Sequence, residues 1–598
     1  MCGVFVYTGP RTNAHEMALK GLKGLEYRGY DSWGICFRDQ SQNLKIYKAT
    51  GHITNVEASD VFPAGTQSNL ALGHTRWATH GGVTVANAHP HSSAENDVVV
   101  IHNGIFENYL EVKQKLELEG FEFKSETDTE VAAHLIHKHL KTGASIETAF
   151  REALNELEGR YALVAVFKND NNKIFAARRG SPLIIGVNED QKEYFLASDV
   201  PAFLEYTNNV MYLDDEQMAV ICPNEGIKFY NLQDGNQIEK RIITVDLEHE
   251  EAEKGDHPHF MIKEIWEQKE TILRAVNQDK HKLKVLAKLI KDAYGSYLIG
   301  CGTAGKVCLA GTYLFAEIAK KHVNFTFGSE FGYFKDFIEE GSLLISVSQS
   351  GETADVLEAM EIAKEKGATL ATIINVESST MARLADITVP IKAGPEKAVA
   401  STKATTSQLA ILTLLAYATA DQLEIGEQLL LNTAREINDM LNPRYEEHIL
   451  ELAKKIVDQQ SMYIIGRGVN YPIALEAAIK LQEVSYIHAE GFAGGELKHG
   501  PLALISEGTP VIAITAKDKT YKDIISNATE IKARGGYIIG IGPEKDPIFD
   551  YWIKVPDVGI TSPIINIIPI QILSYHLAVL RNNNPDKPRN LAKSVTVK

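Results

Sequence analysis

The sequence is poor in cysteine. Its 598 residues hold five, at Cys2, Cys36, Cys222, Cys301 and Cys308. An odd number without regular spacing speaks against a disulfide framework and suits a reducing compartment. There is no Cys-x-x-Cys pair and no His/Cys cluster with ligand spacing, so no metal is expected. A block of Lys and Arg is also missing. The net charge is −17, from 61 basic and 78 acidic residues, which argues against nucleic acid and against an anionic membrane surface as partners. No long apolar run is uninterrupted. Residues 560–580 are the most apolar, but Pro563, Asn566, Pro569, Gln571 and His576 break them. They read as a buried strand-and-helix segment, not a membrane span. No basic start followed by an apolar stretch marks a signal peptide, so a cytoplasmic location is expected. The remaining composition, 44% hydrophobic and 23% charged, is that of a globular chain, with length for about four compact units.

Up to about residue 240 the pattern is β-rich. Residues 4–7, 163–167 and 183–187 are short apolar runs bounded by Gly, Asn and Pro. A helical pattern over residues 129–140 could be capped by Asp128 or Thr127. Strands and helices in this order predict a layered α+β domain. Residues 248–256 carry five acidic side chains and a Gly and read as a linker. Beyond them, helical patterns alternate with fully apolar strands at 297–299, 343–347 and 372–374, the mark of a parallel sheet covered on both faces.

This second part repeats. Residues 296–302 (SYLIGCG) resemble 462–468 (MYIIGRG), with Gly300 and Gly466 lying 166 apart. The strand ends at Ser348 and Thr515 lie 167 apart, and Pro390 and Pro556 lie 166 apart. Three matches at nearly one offset predict two homologous, doubly wound α/β subdomains. The tail from about Asn582 is polar and is expected to lack a core of its own.

Two groups of residues carry chemistry. Cys2 follows Met1, whose loss would leave a thiol beside its own α-amine. That amine has a reference pKa of about 7.7–8.0 and can serve as a base. A cysteine at position 2 is otherwise an ordinary small apolar residue. The blocks 74–81 (HTRWATHG), 87–91 (NAHPH), 102–109 (HNGIFENY) and 126–130 (ETDTE) are denser in polar side chains than a core needs. An Arg and an Asp suit the two ends of an amino-acid zwitterion. Asn-Gly suits an oxyanion hole, offering one side-chain amide and one backbone N–H.

The second group is 348–353 (SQSGET), between an apolar strand and a helical pattern. Hydroxyls and N–H groups at a helix start bind anions without a basic residue, although an ordinary capped helix start has the same composition. Residues 300–305 (GCGTAG) also satisfy G-x-G-x-x-G after a strand, with Glu330 further on, which leaves a dinucleotide site open. The repeat at Gly466 lacks the third Gly, which favours a tight strand-to-helix turn.

Taken together, Met-Cys-Gly, residues 27–32 (YRGYDS), the blocks above, 400–403 (ASTK), 476–499 (EAAIKLQEVSYIHAEGFAGGELKH) and 588–597 (PRNLAKSVTV) resemble the glutamine–fructose-6-phosphate aminotransferase family, the glucosamine-6-phosphate synthases, along nearly the whole chain. The resemblance implies an N-terminal-nucleophile glutaminase domain at 2–240, a linker at 241–256, sugar-isomerase subdomains at 257–440 and 441–582, and a tail at 583–598 that contributes to the sugar site. It implies that Cys2 is the nucleophile, with its amine as base, and that Asn103 and Gly104 form the oxyanion hole. Arg76 would hold the glutamine carboxylate and Asp128 its ammonium. Trp77 would gate ammonia, and His89 would lie near the carboxylate or be structural. Thr303, Ser348, Gln349, Ser350, Thr353, Val399, Ser401, Lys480 and Ala592 would contact the sugar phosphate. Glu483 would move a proton between C1 and C2, His499 would open the ring, and Lys593 would form an imine. The substrates implied are glutamine and fructose 6-phosphate, without metal or other cofactor, in a homodimer.

Three positions depart from that pattern. Ala304 stands where Ser is usual, Gly332 where Arg follows Ser-Glu-Phe, and Trp33 where a small Ala is usual. The first removes one hydroxyl contact to the sugar phosphate; the second could alter subunit contacts and the third could repack its surroundings. Three alternatives stay open at this level: a glutaminase joined to another sugar-phosphate partner, a sugar-phosphate-sensing regulator, and a dinucleotide oxidoreductase.

Overall fold

A computed structural model describes residues 2–170, 173–245 and 254–596. Met1, Val597 and residues 246–253 of the expected linker lie outside the described residues. The chain divides into two compact units, residues 1–251 with 594–598, and residues 252–593.

The first unit is built on two antiparallel sheets. One runs Ile243–Thr244, Asn209–Tyr212, Ile184–Val187, Tyr194–Ala197, β1 (Gly3–Thr8), β2 (Leu70–Arg76), Ser32–Arg38, Leu44–Thr50. The other runs Gln237–Ile238, Gly226–Asn231, Gln217–Cys222, Ile174–Arg179, Gly159–Phe167, β3 (Val98–Phe106), His91–Ser92. Side chains alternate along each strand, so one strand feeds two cores. Val4 and Val6 of β1 meet Val99 and Ile101 of β3 between the sheets. Phe5 and Tyr7 point the other way, onto the helix Ala14–Leu25. Val98 and Val100 likewise face α1 (Thr129–Lys141). The result is four layers, helix–sheet–sheet–helix, as the α+β expectation required. The capping expectation differs in detail. Asp128 occupies the N-cap position of α1, but its side chain makes no cap bond. Its carboxylate accepts the Phe106 N–H of β3 at 2.9 Å instead.

The second unit holds two five-stranded parallel sheets. The first runs Asn324–Phe327, β4 (Ser296–Gly300), β5 (Leu343–Ser348), Thr369–Ile374, Ile387–Pro390. The second runs His488–Ala493, β6 (Ser461–Gly466), β7 (Pro510–Ile514), Tyr537–Gly542, Tyr551–Lys554. Both have the order 2-1-3-4-5 in chain sequence, so the repeat seen in the residues is a repeat of fold. In such sheets a crevice opens beyond the carboxyl ends of strands 1 and 3, where successive connections leave on opposite sides. The glycines of the turn after strand 1 serve the turn itself. A Cβ on Gly300 would lie 2.9 Å from the Ala304 backbone, and one on Gly466 2.1 Å from Asn470 O. Gly302 and Gly468 share φ of +54° and +56°.

Residues 560–580 differ from the strand-and-helix expectation. Apart from a short 3-10 turn at Gly559–Thr561, they form one helix, α2 (Ser562–Leu580). Its six isoleucines between Ile564 and Ile572 favour strands locally. Burial on every side selects the helix, because an all-round apolar helix fits a core. It is long and apolar enough to cross a membrane, but 89% of that window is buried within the fold.

Candidate active sites

The first site gathers at the start of β1. Cys2 is half-buried, and its Sγ accepts the Trp77 N–H at 3.3 Å. The antiparallel pairing of β1 with β2, Gly3 opposite Thr75, brings Arg76 and Trp77 there. The Cys2 carbonyl accepts from Asn103 Nδ2 at 3.0 Å and from Arg28 Nε at 3.3 Å. Burial pushes the Cys2 thiol up, while the Trp77 N–H and Arg76 pull it down. Gly104, next to Asn103 on β3, has φ of +126°, and a Cβ there would sit 2.0 Å from Arg160 O. No other residue fits this close approach.

Behind Asn103 lies a packed set of neutral imidazoles. His74 Nε2 lies 2.9 Å from His102 O and 3.1 Å from Asn103 Oδ1. A carbonyl oxygen only accepts, so His74 Nε2 carries the proton. That proton fixes Asn103 with its oxygen inward and its NH₂ toward Cys2. The His89 ring stacks on His74 at 4.0 Å, and its Nδ1 accepts the His102 N–H at 3.3 Å. Burial lowers His74 to about 3 and His102 to about 4, and drives His89 and His91 well below the ordinary value. Histidines so placed stay uncharged beside the nucleophile. His89 therefore sits in the support beneath Asn103.

Arg76 is buried and donates to the carbonyls of His80 at 2.5 Å and of Gly81 and Gly82 at 3.1 Å. Asn87 and Glu126 pin the same loop: Glu126 Oε2 accepts from Gly82 N at 3.2 Å and Asn87 Nδ2 at 2.9 Å. The side chain of Asp128 stands 3.8 Å from His102 Nδ1. An arginine and an aspartate are thus held on β2 and at the start of α1.

The second site lies in the second unit. The loop after β5 is shaped by its own backbone. Ser348 Oγ accepts the Gly351 N–H at 3.0 Å, and Ser350 Oγ accepts the Glu352 N–H at 3.3 Å. Gly351 has φ of +67°, with Ser379 Oγ 2.2 Å from where a Cβ would be. Thr353 is the N-cap of the helix Ala354–Glu365 but makes no side-chain cap bond. Thr353 is therefore not the side-chain cap that the capped-start alternative expected. Gln349 belongs to the same loop and is half-buried.

Beside β5, β4 leads into the helix Gly302–Leu314, where Thr303 Oγ1 donates to Glu476 Oε1 at 3.1 Å. Glu476 begins a chain of charges along the helix Tyr471–Ser485. Lys480 Nζ lies 3.3 Å from Glu476 and 2.8 Å from Glu483 Oε2. The spacings of four and three residues put all three on one face. Burial pushes Glu476 up to about 7 against the pull of Lys480. Lys480 is fully buried; burial alone would lower it, but the two carboxylates hold it above its ordinary range. Glu476 drew no role in the sequence reading because a lone Glu on a helix reads as surface; its i+4 and i+7 partners were the available signal.

The tail packs against the loop that begins at Glu396. Lys593 Nζ donates to Glu396 Oε2 at 2.5 Å and to Ala398 O at 2.8 Å. This places it on the loop that carries Val399 and Ser401. Val399 N–H donates to Asp586 O at 3.0 Å, and Ser401 Oγ accepts from Thr405 at 3.1 Å. Ala592 is half-buried next to Lys593. His499 is exposed in the turn Leu497–His499. Among the described residues no hydrogen bond joins it to Glu483, Lys480 or Lys593. Of the three departures, Trp33 is buried and stacks on Tyr47 at 5.6 Å. Gly332 has room for a side chain, its nearest neighbour being Ile362 Cδ1 at 3.9 Å. Ala304 follows Thr303 directly and offers no hydroxyl.

Comparison with known proteins agrees with this division. Residues 74–205 match the family model of the glutamine amidotransferase domain. Residues 289–418 and 455–581 each match that of the SIS domain. Over 609 aligned positions, covering all of both chains, the sequence is 43% identical to glutamine–fructose-6-phosphate aminotransferase (isomerizing) of Thermococcus kodakarensis. It is 42% identical, again over all of both chains, to the enzyme of that name from Pyrococcus horikoshii. The solved C-terminal domain of glucosamine-fructose-6-phosphate aminotransferase from Francisella tularensis is similar at a TM-score of 0.52 and 33% identity, covering 56% of this chain and 100% of that one.

Proposed function

This chain belongs to the glutamine–fructose-6-phosphate aminotransferase (isomerizing) family, and from that premise we propose that it converts D-fructose 6-phosphate and L-glutamine to D-glucosamine 6-phosphate and L-glutamate. One observation carries the reading: both chemistries lie in a chain that matches such relatives from end to end.

In the glutaminase half, Cys2 Sγ attacks the amide of glutamine. Loss of Met1 supplies the α-amine that takes the thiol proton. Asn103 Nδ2, held by His74, and the Gly104 N–H receive the oxyanion. Ammonia leaves, and water releases glutamate from the thioester. Arg76 and Asp128 hold the two charged ends of the amino acid, and Trp77 gates the exit of ammonia. His89 keeps Asn103 and His74 in place.

In the isomerase half, the Ser348–Thr353 loop takes the phosphate, with Gln349, Ser350 and Thr303 around it. Lys593 forms an imine at the ketose carbon. Ammonia displaces the lysine, and Glu483 takes a proton from C1 and returns it at C2. Lys480 holds Glu483 in place. Val399, Ser401 and Ala592 line the sugar. We assign ring opening to His499 of a second copy, because in its own chain it is exposed and joined to none of these groups. That makes the working form a homodimer, with ammonia passing internally between the sites. The domain bounds are those given above, and a cytoplasmic location fits the free cysteines.

The test is to supply glutamine and fructose 6-phosphate and to measure both products. Equal yields of glutamate and glucosamine 6-phosphate are expected. Glutamate without amino sugar would reject fructose 6-phosphate as the acceptor.

A further inference from the structure

The roles above leave one buried cluster without a task. Glu396 is buried, and both of its oxygens are engaged. Oε2 faces Lys593 Nζ at 2.5 Å, while Oε1 accepts the N–H groups of Thr402 at 2.9 Å and Ala404 at 3.0 Å, where the helix Lys403–Thr419 begins. The carboxylate is therefore clamped and cannot turn away from the amine. A second buried carboxyl stands behind it. Glu264, on the helix Phe260–Trp266, accepts the N–H groups of Lys397 at 2.5 Å and Ala398 at 3.2 Å through Oε1. Its Oε2 has no hydrogen-bond partner among the described residues.

The charges sort themselves. Burial, then the negative charge of Glu396, pushes Glu264 up to about 8. Burial acts on Glu396 in the same direction, but Lys593 and the two N–H groups outweigh it and hold that carboxyl below its ordinary range. Near neutral pH Glu396 is the carboxylate that faces Lys593, and Glu264 behind it is a neutral acid. The other buried lysine nearby, Lys403, is engaged elsewhere, with Glu267 at 2.6 Å.

An amine attacks a carbonyl only after giving up a proton. Lys593 is buried in an ion pair, and the carboxylate within hydrogen-bond reach of it is Glu396. We propose that Glu396 is the proton shuttle for imine formation at Lys593, and that Glu264 is a positioning residue that holds the 396–398 segment under it. The proposal rests on reading Lys593 as the imine-forming amine.

The step balances without a further reactant. Glu396 takes one proton from the ammonium, and the free amine attacks C2 of the ketose, forming the N–C bond. Glu396 then gives its proton to the departing oxygen. Of the three ammonium protons, two leave in water with the carbonyl oxygen, and the third stays on the iminium nitrogen. Nothing is oxidised or reduced. The iminium charge ends beside the Glu396 carboxylate that has just been restored.

The experiment is reductive trapping. The full chain is mixed with fructose 6-phosphate and borohydride, and mass spectrometry follows the sugar adduct on Lys593. Wild type should form it. Glu396→Gln should form it about 100-fold more slowly while still binding fructose 6-phosphate by calorimetry. Glu396→Asp keeps the charge but shortens the reach, and should lie between the two. The Asp variant also serves if the Gln variant fails to fold, which circular dichroism reports. A Gln or Asp variant that binds the sugar and traps it at the wild-type rate would overturn the shuttle while leaving the imine intact. A wild-type chain that traps no sugar on Lys593 would instead overturn the imine reading, and the shuttle with it.

Discussion

The two parallel-sheet subdomains share a strand order and a glycine turn, yet their side chains differ at matching places. In the first, the loop after strand 3 is tied by neutral hydroxyls: Ser348 Oγ accepts the Gly351 N–H and Ser350 Oγ the Glu352 N–H. In the second, the matching loop is tied by a carboxylate, and neither N-cap, Thr353 or Thr520, makes a side-chain cap bond. Asp518 Oδ1 accepts both the N–H and the hydroxyl of Thr520, at 2.8 Å and 2.6 Å, which puts a negative charge there. The helices after strand 1 differ in the opposite sense. Glu476, Lys480 and Glu483 correspond, at an offset of 166, to Ala310, Leu314 and Glu317. Ala310 and Leu314 are core, and Glu317 pairs at the surface with Lys519 at 2.5 Å. One copy has an uncharged, hydroxyl-tied loop, and the other has the buried charged helix face.

The largest test converts one copy toward the other. Lys480→Leu installs the residue of the first subdomain and leaves Glu476 without its cation. Stability should fall by roughly 3–5 kcal/mol, and isomerisation should be lost; thermal unfolding and a sugar-isomerase assay read the two. Adding Glu476→Ala should recover most of the stability without the activity, because a buried ion pair replaced by apolar residues is often neutral. If stability stays low, the trio is not the source of the loss.

The Ser348–Thr353 loop, proposed to take the phosphate, gives the next effect. Ser348→Ala should raise the KM for fructose 6-phosphate through loss of a charged hydrogen bond worth roughly 1.5–3 kcal/mol. Lys517→Ala, in the corresponding loop of the second copy, should leave KM unchanged. Equal shifts would erase the distinction between the loops.

Smaller still is the paired glycine test. Gly351→Ala meets both a positive φ and Ser379 at 2.2 Å, whereas Gly468→Ala has a similar φ but nothing nearer than Thr520 Cγ2 at 3.4 Å. The first should cost about 1–3 kcal/mol and weaken sugar binding, and the second should show backbone strain alone in thermal unfolding.

The last effect is one of pH. Glu476 titrates at about 7 in the fold, above its ordinary 4.5, so the folded chain holds more protons than the unfolded chain between these values. Its contribution to stability is present below pH 4.5 and is lost as pH rises through 7. Glu476→Gln should remove that slope from a series of thermal unfolding curves. An unchanged slope would mean that another group carries it.

Much of this frame could be read from residue patterns. The parallel strands announced themselves because both of their faces are buried, which makes the whole segment apolar, as in Leu343–Ser348. The repeat was legible because each copy needs glycine at the same tight turn. Residues 560–580 were harder, since isoleucine favours strands until a core surrounds it. Asp128 looked like a cap because nothing nearby in sequence showed that the Phe106 N–H would claim its carboxylate.

The chemistry divides along the same line. Residue identity and spacing along the chain determine which groups are available: a thiol at position 2, Asn-Gly, a hydroxyl-rich loop, three charges on one helical face. These follow from local geometry, which is the same wherever the segment lies. The protonation states of those groups, and the groups that they serve, follow from the fold. Lys593 meets Glu396 across 197 positions, Asn103 takes its orientation from His74, and Glu264 and Glu476 resist ionisation because burial removes the water that would stabilise their charge. Desolvation depends on everything packed around a group, and no segment carries that information alone.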